Sequence, residues 1–243
     1  METCFVKTLS MVLATSLLPG GAATAAAPVK VPIPGWTHLS SRTGDLPEPN
    51  GGTEQTACVT FDVDGDGKTD LLAGQFWFRH RGGGEAFEPI PISDRPGRVR
   101  AGHFMPGKVA QIVYSSGDGD GPLRLYACQG DPADPHAWVP RTLLEREVLS
   151  GHTLEVGDID GDGNLDIFCA EMHTPGPGAR CRAWILYGDG QGSFRAEVLS
   201  TGLCNHDSRL ADVNGDGRLD IVSKPYTWGT PRLDVWLNQG PVP

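Results

Sequence analysis

The chain has 243 residues, of which 39 % are apolar, with 33 glycines, 20 prolines and a formal net charge of −10. That length holds one domain or two small ones, and the glycine and proline content argues for many turns and little helix. An acidic surface repels phosphate backbones and anionic headgroups, so no nucleic-acid partner is expected.

Residues 1–25 read as a signal peptide. Lys7 supplies the cation, Thr8 to Leu18 the apolar run, Pro19-Gly20-Gly21 a break and Ala23-Thr24-Ala25 the cleavage site. A spanning helix needs about 20 apolar residues, more than this run offers, so the mature chain is expected to have no membrane span. A domain of residues 26–243 in a secreted or periplasmic location follows. Its five cysteines, Cys58, Cys128, Cys169, Cys181 and Cys204, show no zinc spacing. They are read as small buried strand residues, with Cys169–Cys181 the one pair open to a disulfide.

Next along the chain comes a strand-like stretch, Trp36 to Ser40, and then a loop motif. Asp62-Val63-Asp64-Gly65-Asp66-Gly67-Lys68-Thr69-Asp70 recurs at Asp158-Ile159-Asp160-Gly161-Asp162-Gly163-Asn164-Leu165-Asp166 and at Asp212-Val213-Asn214-Gly215-Asp216-Gly217-Arg218-Leu219-Asp220. An eroded copy without carboxylates starts at His103 and ends at Gln111. The copies recur at the spacing of propeller blades or large solenoid repeats.

Side-chain oxygens at positions 1, 3, 5 and 9, with a backbone carbonyl at 7, suit a hard cation, and glycine at 4 and 6 permits the wrap. Three Ca²⁺ sites are therefore expected. Their ligands are Asp62, Asp64, Asp66, Lys68 and Asp70; Asp158, Asp160, Asp162, Asn164 and Asp166; Asp212, Asn214, Asp216, Arg218 and Asp220. The position-7 residues Lys68, Asn164 and Arg218 enter through their carbonyls. An EF-hand is excluded because position 12 holds Ala73, Cys169 and Ser223 instead of a bidentate Glu. Alternating apolar segments after each loop supply further strands, among them Phe76 to Phe78, Leu123 to Tyr126, Trp184 to Tyr187 and Leu233 to Leu237. Gly117 to Gly121 and Gly188 to Gly192 are read as hairpin turns.

On these loops the chain resembles the FG-GAP/VCBS repeat family of integrin-α-like calcium-binding propellers, over roughly residues 50 to 243. The resemblance implies an all-β propeller of four-stranded blades, about four of them visible, with each metal loop joining the innermost strand of a blade to the next. The last blade lacks a fourth strand, and Trp36 to Ser40 is expected to complete it and close the ring. An incomplete ring would instead self-associate.

The resemblance also implies that the face opposite the loops takes the ligand. There the repeats align His152 with His206, and Arg100 with Glu155 and Arg209. Connections add Trp77, Glu171, His173, Tyr226 and Trp228. Histidines, cations and aromatics suit an extracellular carbohydrate or a protein ligand. No nucleophile elbow or phosphate loop occurs, so a binding module is preferred to an enzyme. The alternative is a carbohydrate lyase or dehydratase with His152, His206 and Tyr226 as catalytic candidates.

Overall fold

Short runs of β-branched, aromatic and other apolar residues, punctuated by glycine turns, fold each repeat into a small antiparallel sheet. The computed structural model describes residues 34–35, 38–41, 44, 46, 58–83, 86–172, 181–225 and 233–240. The chain divides into two units, Met1–His38 and Leu39–Pro243. In the first, Pro34–Gly35 is a turn and His38 is exposed coil; every strand lies in the second.

Blade 1 holds β1 (Cys58–Phe61), β2 (Asp70–Ala73), β3 (Phe76–His80) and β4 (Phe87–Pro91). Blade 2 holds β5 (Arg98–Gly102), β6 (Gln111–Ser115), β7 (Arg124–Cys128) and β8 (Trp138–Thr142). In blade 3 the strands are β9 (Thr153–Gly157), β10 (Asp166–Ala170), β11 (Arg182–Gly188) and β12 (Phe194–Thr201). Blade 4 has three among the described residues, β13 (Asn205–Ala211), β14 (Asp220–Pro225) and β15 (Asp234–Trp236). Each sheet is a meander in chain order. The first strands pack side by side, β1 on β5, β5 on β9 and β9 on β13, which makes them the inner strands of a four-bladed β-propeller. Among the described residues the only helical element is a 3₁₀ turn at Pro135–Ala137.

The blades adhere through one apolar cluster per interface. Leu72, Trp77 and Ile90 of blade 1 meet Val99, Ile112 and Trp138 of blade 2. Val113 and Leu125 of blade 2 meet Ile167, Cys169 and Trp184 of blade 3. Phe168 and Ile185 of blade 3 meet Ile221 and Trp236 of blade 4. Successive residues of β10 thus face opposite neighbours, so the strand is buried along its whole length. Close approach at the inner edge is set by size. A Cβ on Gly102 would lie 2.6 Å from Leu165, and one on Gly157 would lie 2.7 Å from Leu219. Where blade 1 meets blade 2 the order is reversed, with bulky Phe61 and small Ala110 at the corresponding positions.

Two expectations change here. The disulfide is Cys181–Cys204, not Cys169–Cys181. Cys169 is fully buried on the β10 face that meets blade 2, 3.8 Å from Ser115 Oγ. Cys181 lies at the foot of β11, where Gly202 N donates to its carbonyl at 2.8 Å and brings Cys204 near. The closing strand falls partly outside the described residues, which omit Trp36 and Thr37, while His38, Leu39 and Ser40 form no strand.

Candidate metal loops and the axial end

Each loop leaves the end of an inner strand and wraps tightly. Glycines at positions 4 and 6 all adopt positive φ: Gly65 and Gly67 at 66° and 86°, Gly161 and Gly163 at 80° and 90°, Gly215 and Gly217 at 77° and 86°. Such angles are strained for residues with a Cβ. The position-1 carboxylate closes the wrap, with Asp62 accepting from Asp66 N and Gly67 N at 3.0 and 2.9 Å. Asp158 and Asp212 act alike on Gly163 N and Gly217 N.

Position 9 is a latch across the blade. Asp70 accepts from Val63 N at 2.9 Å and from His80 N on β3 at 2.8 Å. Asp166 accepts from Ile159 N and from Gly188 N on β11, both at 2.8 Å. Asp220 accepts from Val213 N at 3.1 Å and Asn238 N at 2.7 Å. All three aspartates are fully buried. Burial pushes the Asp70 and Asp166 carboxyls up, against the backbone N–H groups that pull them down. In the eroded copy Gln111 Oε1 takes over, accepting from Phe104 N at 2.8 Å and Met105 N at 3.0 Å. Blade 2 therefore keeps the closure of the loop on itself, the Gln111 side chain bonding only Phe104, Met105 and Val109, and has lost the carboxylate cage.

The residues fit a hard cation. Carboxylate oxygens of Asp62, Asp64 and Asp70 lie within 4.8 Å of one another, as do those of Asp158, Asp160 and Asp166. Every donor is oxygen, the chemistry of Ca²⁺ and not of softer metals. The loops differ in internal charge. Position-7 side chains reach back to position 5, Lys68 to Asp66, Asn164 to Asp162 and Arg218 to Asp216. Arg79 also lies 2.6 Å from Asp64 Oδ2, which is buried without a hydrogen bond. Among the described residues no Lys or Arg pairs with the aspartates of loop 158–166.

At the other end of the inner strands the repeats converge. Arg100, Glu155 and Arg209 occupy equivalent positions on β5, β9 and β13. Glu155 Oε1 accepts from Arg100 Nη2 at 2.7 Å and from Arg209 Nη1 at 3.1 Å. Arg209 also pairs with Asp207 at 2.5 Å. The His152 and His206 rings stack at 4.7 Å. His152 Nδ1 lies 2.8 Å from the His206 carbonyl oxygen. Arg98 Nη2 approaches both ring nitrogens, Nδ1 at 2.8 Å and Nε2 at 3.1 Å, and Asp118 Oδ1 lies 3.2 Å from Nε2. Burial first, then His152 and Lys224, hold His206 below the usual histidine value, against Asp207.

Two expected ligand residues are structural instead. Trp77 is fully buried and packs edge-on against Trp138, because β3 turns it into the blade 1–blade 2 interface. Glu171 is also fully buried. Its Oε1 accepts from Arg146 Nη2 at 2.8 Å and Leu149 N at 2.9 Å, and its Oε2 from Arg182 N at 2.8 Å. His173, Tyr226 and Trp228 lie outside the described residues. Arg98 belongs to this end although the repeat alignment of histidines passes over it. The signal was present in Arg98-Val99-Arg100, since strand alternation puts residues two apart on one face.

Fold and loops together define a four-bladed β-propeller built from loop-bearing repeats. The FG-GAP-like repeat family model matches residues 158–223, from the blade 3 loop into β14, consistent with the FG-GAP/VCBS-like repeat family. No curated protein matches the chain. FG-GAP-like repeats are typical of extracellular proteins and their propellers suggest interaction modules; among the described residues no helix is long and apolar enough to cross a membrane.

Proposed function

We propose that the protein is a secreted calcium-binding interaction module whose axial end, opposite the metal loops, receives an extracellular carbohydrate or protein ligand. The observation carrying this reading is the convergence of polar groups from three blades: Arg98 and Arg100, His152 and Glu155, His206 and Arg209. The inner strands separate the two ends. Six residues from His152 to Asp158 extend about 20 Å at strand rise, so loop chemistry and axial chemistry do not share a surface.

Calcium, when bound, would neutralise the clustered carboxylates and tie the end of each inner strand to the strand that follows. Asp62, Asp64 and Asp70 would hold it in blade 1, with the corresponding residues in blades 3 and 4. The axial groups are left for the ligand. A lyase or dehydratase would need a histidine free to take a proton, whereas the His152 ring is already engaged by the His206 carbonyl, Arg98 and Asp118. Binding to a glycan array and to extracellular matrix proteins tests the reading, with the His152→Ala/His206→Ala double variant and the wild type compared at equal folded fraction. The double variant should lose binding and retain its calcium-dependent melt. Binding that is unchanged per folded molecule overturns the axial reading.

A further inference from the structure

We propose that the axial end is an anion-binding site in which the Arg98 guanidinium receives the single carboxylate of a hydroxyl-rich ligand, a uronate-bearing saccharide. The inference rests on the reading of the axial end as the ligand face and names what that face selects.

Arg98 is the first residue of β5 and half-buried beside the inner strands of blades 3 and 4. Its neighbours Arg100 and Arg209 share Glu155, and Arg209 has Asp207 as a second partner. Arg98 makes no ion pair among the described residues. Its Nη2 lies against both ring nitrogens of His152, at 2.8 and 3.1 Å, and its Nε is buried without any hydrogen-bond partner. A guanidinium offers five N–H donors in a planar fork, and contact with His152 through Nη2 alone leaves most of that fork unanswered. Burying such a charge without a counter-ion is costly, and a bound oxyanion offsets the cost. Consistent with this, burial outweighs the nearby carboxylates and lowers the proton affinity of Arg98, with Arg100 and Arg209 adding repulsion.

The surroundings set how much negative charge fits. Arg100 and Arg209 are balanced by Glu155 and Asp207. Arg98 keeps a positive charge that no ion pair among the described residues answers, with Asp207 and Asp118 acting on it from nearby. An acidic peptide, whose carboxylates come without neighbouring hydroxyls, would meet Asp118, Asp207, Glu155 and a chain of net charge −10 with nothing to donate to them. A uronate brings one carboxylate per ring, and its hydroxyls can donate to those same carboxylates. Arg–carboxylate pairing is geometrically specific because the fork matches both oxygens.

Isothermal titration of the full mature chain in calcium, with trigalacturonate and with neutral galactotriose as probes, tests the proposal. Trigalacturonate should bind the wild type at least tenfold more tightly than galactotriose. Arg98→Gln should lose at least tenfold for trigalacturonate and several-fold less than that for galactotriose, and Arg98→Lys should recover part of the loss. Thermal melts confirm that each variant is folded, and Arg98→Lys keeps the test open where Arg98→Gln does not fold. Unchanged trigalacturonate binding by folded Arg98→Gln overturns the anion site, leaving the axial reading to the double histidine variant. Equal binding of the two saccharides by the wild type overturns it also. Binding of a polyaspartate peptide in an Arg98-dependent way, with neither saccharide bound, overturns the uronate assignment.

Discussion

Replacing Glu171 should destabilise the protein far more than replacing any exposed acidic residue. The carboxylate is fully buried and accepts three hydrogen bonds, two from the backbone N–H groups of Leu149 and Arg182 and one from Arg146. Its own carbonyl accepts from Asn205 N at 2.8 Å, so one residue links the blade 2–blade 3 connection, β11 and the start of β13. Glu171→Ala strands two backbone donors at about 1–3 kcal/mol each. Arg146 keeps part of its hydration, since its side chain is 36 % exposed, so little is added for it. The sum is about 4 kcal/mol, within the range for removing one partner of a buried pair. For a domain of this size that corresponds to a fall in Tm of about 8–16 °C. Glu171→Gln keeps the shape but turns an N–H toward a donor, and should lie between the two. Thermal and urea unfolding in saturating calcium measure both variants. A Glu171→Ala melt within about 2 °C of wild type refutes the reasoning and returns Glu171 to the ligand face.

Three further outcomes are expected. Chelation of calcium should lower the Tm, by about 2.7 kcal/mol of stability per site for a cation held at 100-fold its Kd; Asp160→Asn should reduce that response more than Asp216→Asn, because Arg218 already neutralises Asp216, and an unchanged melt in chelator removes the metal assignment. Reduction of Cys181–Cys204, 23 residues apart, should cost about 3 kcal/mol in a denaturant titration; Cys169, its thiol pushed up to about 12 by burial, should resist alkylation in the folded state, and rapid labelling there contradicts the packing. Because His206 is held below its unfolded value of 6.5, the unfolded chain binds more protons, so its contribution is complete above about pH 6.5 and is lost as pH falls through the lower folded value; His206→Gln should flatten that limb of the stability profile, and an unaltered profile excludes His206 as its source.

What could be read from the sequence was what is local to nine residues or repeats at fixed spacing. Glycine at positions 4 and 6 dictated the loop wrap. The same frame, carried onto Gln111, located a blade whose carboxylates are gone but whose position-9 side chain still closes the loop. Strand alternation likewise foretold β3, β7 and β11. The misreadings all concern where a connection folds over a neighbour. Glu171 and Trp77 follow inner strands and resemble rim residues, yet the Leu149 segment covers one and blade 2 covers the other. Cys204 gave no spacing signal, because its approach to Cys181 depends on how the β11–β12 hairpin ends. Arg98 was passed over because repeat alignment rewards identity between copies, whereas a binding site on a pseudo-symmetric axis must break the symmetry. At aligned positions Arg100, Glu155 and Arg209 neutralise one another. The residue left with an unanswered charge is Arg98, aligned with Thr153 and Asp207, and it is there that four similar blades can distinguish one ligand.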